Sequence, residues 1–138
     1  MLLTGTTAVA VNGRALLIEG EPGSGKSSLA LSLIDRGALL IGDDGVRLFL
    51  SGNRVQATPP PRILGLLEVR GVGLIRLPVT SAPIALILRL ETEAPRMPGT
   101  LEHRHVLGQP IPVLALRPHA AALALRAEHA LALHGLAE

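Results

Sequence analysis

Residues 20–27 read Gly-Glu-Pro-Gly-Ser-Gly-Lys-Ser, an instance of the phosphate-loop pattern G-x-x-x-x-G-K-[ST]. No other stretch constrains the fold as strongly, because the pattern works only between a strand and a helix. "ALLIE" at 15–19 reads as that strand. Leu29, Ala30, Leu33 and Ile34 recur at helical spacing behind the loop, and Gly37 stands where a C-terminal glycine would end the helix. Each residue type has a chemical reason. Glycines let backbone N–H groups turn inward around phosphate oxygens without a Cβ clash, and the helix N-terminus adds positive potential. Lys26 is the only lysine in a chain that otherwise uses arginine. Its compact, mobile ammonium suits the β- and γ-phosphates in a way that a rigid guanidinium fork does not. Ser27 offers a hydroxyl to Mg²⁺. Gly20, Glu21, Pro22, Gly23, Ser24, Gly25, Lys26 and Ser27 are therefore the expected nucleotide-phosphate site.

The surrounding elements follow from periodicity and turn chemistry. "TAVAV" (7–11) is a strand, Asn12-Gly13 a tight turn, and "ALLIG" (38–42) a buried strand running into Asp43-Asp44. "VRLFL", "SGN" and "RVQA" form a hairpin that Pro59–Pro61 ends. Residues 66–77 are strand-like but divided at Gly71 and Gly73. "PIALILRL" (83–90) is a central strand and "IPVLAL" (111–116) the last one. Residues 91–110, rich in charge, Pro and Gly, read as a mobile segment. The stretch 119–135 reads as a closing helix with Leu123, Ala127, Ala130 and His134 on one face. The expected fold is a single α/β domain over 1–138, a P-loop-containing domain whose mixed sheet carries a P-loop helix and a C-terminal helix.

Composition excludes several function classes. At 138 residues, with 48% hydrophobic content, the chain can bury one core, and that core must be aliphatic because Phe49 is the only aromatic residue. A net charge of +2, no basic run and no aromatic stacking platform argue against nucleic acid. The absence of cysteine excludes disulfides and thiolate metal sites. The opening residues lack a signal-peptide pattern, and the longest apolar runs stop at Arg89 and Arg126, so neither spans a bilayer. The expectation is a cytoplasmic protein with no membrane or nucleic-acid partner.

Other polar residues carry competing readings. Asp43 and Asp44 end a strand whose C-terminal end should face the ligand. They serve as a Mg²⁺ ligand, as a general base for an incoming hydroxyl, or only as turn residues before Gly45. Glu68 and Arg70 share one strand face, either as site residues or as a solvated ion pair. His103 and His105 read as surface histidines, and His119 as structural.

Three elements in order resemble the catalytic domain of the HPr kinase/phosphorylase family: the phosphate loop, "RGALLIGDD" at a fixed distance from Lys26, and "LLEVRGVGLI" at 66–75. The chain is most similar to the short, single-domain proteobacterial type. The resemblance implies an ATP- and Mg²⁺-dependent kinase acting on a serine of the phosphocarrier HPr. It also implies the reverse phosphorolysis, with inorganic phosphate consumed and pyrophosphate released. By position it makes Lys26 and Asp43 catalytic, Asp43 as the acceptor of the serine proton, and Ser27 and Glu68 the Mg²⁺ ligands. Arg96, which corresponds to an arginine of the family's mobile segment, is by the same resemblance a third catalytic residue. The family's histidine near the start of the domain is replaced by Thr4 or Gly5, which puts phosphorolysis in doubt. The alternative is a catalytically weak module that senses nucleotide or phosphate and regulates a partner. The resemblance leaves a homo-oligomer open.

Overall fold

The computed structural model describes residues 1–62 and 64–137. Its centre is a long strand, β9 (Ala82–Leu90), flanked by β3 (Arg14–Gly20) and β11 (Gln109–Leu116), both parallel to it. β2 (Thr7–Val11) folds back antiparallel on β3 through Asn12-Gly13, both at positive φ as a tight primed turn requires. β4 (Leu39–Gly42) pairs with β2. β5 (Gly45–Ser51) and β6 (Arg54–Thr58) form a hairpin joined to the start of β9, and β1 (Leu2–Thr4) extends it. β7 (Leu66–Val69) and β8 (Gly73–Arg76) make a separate two-stranded sheet, divided at the glycines as expected. β10 (Glu102–Val106) lies antiparallel on β11.

Why the central strands read as continuous apolar runs is now plain, since both sheet faces are covered. Leu16 and Ile18 of β3, with Leu86, Leu88 and Leu90 of β9, face the helices α1 (Lys26–Asp35) and α2 (Leu123–His134). Those helices contribute Leu29, Ala30, Leu33, Ala127, Ala130 and Leu131. On the opposite face Ala15, Leu17, Ile84 and Ile87 pack with Val46, Leu48 and Val55 of the β5–β6 hairpin and with Val106, Ile111 and Val113. Alternation of period two sorts β3 between the two cores. In β9 it slips by one at Ala85 and Leu86, both on the helix side, where the register with β3 shifts. Among the described residues no helix is long and apolar enough to cross a membrane.

Two expectations need correction. The segment 91–110 is not mobile throughout, because 102–106 is strand β10. Leu107 and Gly108, with φ of 49° and 83°, close a two-residue turn onto β11, which begins at Gln109. Arg104 also bonds Glu19 of β3, so the charged residues that suggested mobility anchor the strand; Arg104 Nη2 donates to Glu19 Oε1 at 2.9 Å. The last helix begins at Leu123, not 119. His119 and Ala122 both adopt left-handed backbone (φ 59° and 54°), which breaks the helical path that the alanine-rich sequence favours. β1 was not expected, since three residues are too few to show a period.

Candidate functional site

The loop from Gly20 to Gly25 turns back on itself through a Ser24 N–H to Glu21 carbonyl bond of 3.0 Å. Gly23 and Gly25 hold φ of 85° and 95°, a region that side chains disfavour. Lys26 opens α1, and its Nζ donates to the carbonyls of Gly20 (2.7 Å) and Glu21 (3.4 Å), so the ammonium lies across its own loop. The first turn of α1 carries no acidic residue and no side-chain cap, which leaves its N–H groups to an anion.

Opposite the loop stands Asp43, in the turn between β4 and β5. Its Oδ1 accepts from Ser27 Oγ at 2.7 Å and from Thr7 Oγ1 at 3.0 Å; its Oδ2 accepts from the backbone N–H of Glu68 at 3.1 Å. One carboxylate thereby fastens together β2, the start of α1 and β7. Thr7, only 1% exposed, in turn accepts from the N–H of Asp44 at 3.3 Å. Asp44 takes a left-handed φ of 59°, which aspartate tolerates better than most residues. Its side chain is exposed and lines the same cavity. The turn leaves no room at Gly42, where a Cβ would stand 2.1 Å from the Gly45 carbonyl oxygen. Gly42→Ala is expected to destabilise the fold by roughly 3 kcal/mol through backbone displacement. Chemical denaturation reads this directly, and an unshifted midpoint would show that the turn is looser than described.

Loop and carboxylates enclose a cavity of about 370 Å³. Lys26 and Arg70 line it beside Asp43, Asp44 and Glu68. The expected phosphate, metal and base residues therefore meet in one place, and Arg70, left open from sequence, joins them. Three carboxylates facing two cations would repel a polyphosphate unless a divalent ion lay between. Ser27 Oγ and the Glu68 carboxylate are hard oxygen donors suited to Mg²⁺, which needs few protein ligands when phosphates and water complete its shell. The donor set fits that ion. Glu68→Gln is expected to raise the Mg²⁺ concentration needed for nucleotide binding several-fold. A titration overlaying the parent's would reduce Glu68 to a surface charge.

Arg96 is not brought to this site. It is exposed between β9 and β10 and lines a different cavity with Leu125 and His129 of α2. Three cavity residues escaped the sequence reading, Thr7, His119 and Ser28, the last simply following Ser27 on α1. Thr7 looked like an ordinary strand residue, and His119 looked structural. The His119 ring touches the loop, with Nε2 3.2 Å from the Gly23 carbonyl oxygen, and lines the cavity. No spacing rule links residue 119 to residue 23. His103 and His105 are exposed on β10, as surface histidines should be.

Comparison with known proteins identifies the family of the chain. Residues 3–81 match the family model of the HPr Serine kinase C-terminal domain, a span that holds the loop, Asp43 and Glu68. The HPr kinase/phosphorylase of Variovorax paradoxus is 38% identical over 114 residues, covering 72% of this chain and 36% of that protein. That of Clostridium botulinum (strain Eklund 17B / Type B) is 48% identical over 67 residues, covering 49% and 22%. The chain thus spans about a third or less of the length of these relatives. The solved Hpr(Ser) kinase/phosphatase from Coxiella burnetii superposes with a TM-score of 0.83 at 26% identity, covering 97% of this chain and 90% of that one. With the loop, the aspartate turn and the Glu68 strand inside the matched span, the chain belongs to the HPr Serine kinase C-terminal domain family.

Proposed function

We propose that this domain is a kinase that transfers the γ-phosphoryl group of ATP to a serine of an HPr-like phosphocarrier, with the cytoplasm as its setting. One observation carries the reading. The Asp43 carboxylate is fixed between the Ser27 hydroxyl and the Glu68 strand, in the cavity that the Lys26 loop opens into. Phosphoryl transfer asks a protein mainly to position groups and neutralise charge, and this cavity is built for both. The loop N–H groups and Lys26 bind and orient the polyphosphate. Asp43 accepts the proton of the attacking serine hydroxyl. Ser27 and Glu68 would hold Mg²⁺, which would supply charge neutralisation. Pyrophosphate fits the same phosphate subsites, so phosphorolysis with inorganic phosphate is a reaction the same groups could serve in reverse. Arg96 contributes only in an assembly, with the acceptor or a second copy, that brings it to Lys26.

Incubating the protein with ATP, Mg²⁺ and HPr, then reading the mass of HPr, tests the proposal. A phosphate added to a single serine supports it. No addition, with ATP still bound, favours the second reading, a nucleotide-sensing module; Thr4 and Gly5, where the resemblance implies a histidine, are the residues that favour it.

A further inference from the structure

A second cavity, about 560 Å³, lies on the outer side of the phosphate loop. It opens where the parallel strands β3 and β9 end, the crevice in which such sheets take ligands. Pro22, Gly23 and His119 line both cavities, so the two are neighbours across one loop. Their chemistry differs. Glu19, Glu21 and Glu91 line the outer one beside Arg89. Arg89 is already paired with Glu91 and Arg104 with Glu19, so neither guanidinium is left for a further phosphate, while Glu21 keeps its carboxylate for a ligand. Carboxylates do suit hydroxyl and amine donors, and Pro118 adds an apolar wall. The rim is tied in place: Arg117 Nε donates to the Ala94 carbonyl at 3.0 Å, and the Glu91 N–H to the Leu116 carbonyl at 3.0 Å.

Between the cavities stands the His119 ring. Because a carbonyl only accepts, the 3.2 Å contact to Gly23 puts a proton on Nε2 and fixes the ring's orientation. Residue 119 keeps a left-handed φ of 59°, a backbone cost that the loop contact helps offset. Gly25 passes under the ring so closely that a Cβ would lie 3.1 Å from His119 Cε1. The chain's one aromatic side chain, Phe49, lines neither cavity. His119 is the planar surface available at this junction.

We propose that the outer cavity is the nucleoside subsite for the nucleotide whose phosphates the loop holds, with the base stacking on the His119 imidazole and the ribose hydroxyls donating to the carboxylates. The inference rests on the phosphate-site reading above. Calorimetric titration of ADP and of inorganic pyrophosphate, each with Mg²⁺, separates the two subsites. His119→Asn tolerates the left-handed backbone and keeps a donor for Gly23, but removes the ring. Thr92→Trp fills the cavity from an exposed rim position away from the loop. Both variants are expected to bind ADP about tenfold more weakly, the size of a lost base–ring stack, with pyrophosphate within twofold of the parent. ADP affinity equal to the parent's in both variants overturns the proposal. Equal loss of ADP and pyrophosphate in His119→Asn also overturns it, since His119 would then only shape the loop. A parent that binds pyrophosphate as tightly as ADP refutes the nucleoside subsite and leaves the phosphate site standing; a parent that binds neither refutes both.

Discussion

Asp43→Asn is expected to lower phosphoryl transfer to the acceptor serine by ~10²–10⁴-fold, the usual share of a general base. Nucleotide affinity should change far less. An asparagine oxygen can still accept from Ser27 and Thr7, which now bond Oδ1. The new amide would face the N–H of Glu68 where Oδ2 accepts at 3.1 Å, so two donors would oppose each other. Losing that bond should displace β7 slightly and cost about 1–2 kcal/mol of stability. Single-turnover transfer, with ATP affinity measured on the same samples, separates chemistry from binding. Asp44→Asn is the informative partner. Asp44 lines the same cavity, and among the described residues its exposed carboxylate holds no element in place. If Asp44→Asn stops transfer and Asp43→Asn does not, the proton goes to Asp44, and Asp43 is the clamp that positions Ser27. If both variants transfer at the parent's rate, neither carboxylate is the base.

Lys26→Ala should weaken ATP and pyrophosphate binding by at least ~100-fold, since an ammonium bonding two phosphates makes two charge-assisted contacts of about 1.5–3 kcal/mol each. The fold should survive. Among the described residues the Lys26 ammonium bonds only the carbonyls of Gly20 and Glu21, whereas α1 is held by Leu29, Ala30 and Leu33 in the core. A thermal midpoint within a few degrees of the parent's, together with lost binding, is the expected pair of results. Unchanged affinity would remove the phosphate-site assignment and, with it, the kinase proposal. Lys26→Arg is a useful companion: it retains the charge, but its planar fork cannot lie across the loop as the ammonium does, so binding should recover only in part.

Much of the fold is legible in the sequence, for a local reason. Whether a stretch becomes a strand, a turn or a helix start depends on neighbours within a few residues. Asn12-Gly13, the glycines of the loop and the apolar runs at 15–19 and 83–90 carry that information themselves. The phosphate loop is the clearest case, because its ligand-binding groups are its own backbone N–H groups and the next residue's ammonium. Strand β10 was hidden for the same reason in reverse. Its Glu-His-Arg-His-Val run has weak apolar alternation, and what makes it a strand is pairing with β11 and the bond from Arg104 to Glu19, 85 residues away.

The site divides along the same line. Lys26 and Ser27 follow from a contiguous pattern, and Asp43 from its place at a strand end. That Asp43 would be held by Thr7, 36 residues before it, and by the N–H of Glu68, 25 residues after it, depends on β4 pairing with β2 and on β7 packing beside α1. His119 reaches Gly23 across 96 residues. Arg96 shows the opposite outcome, a residue near the expected place in sequence order that the chain carries to a different cavity. Local rules specify which elements form and which residue types can bind phosphate. Which side chains converge is set by strand order and register, and those are chosen by how both faces of β3 and β9 can be buried at once.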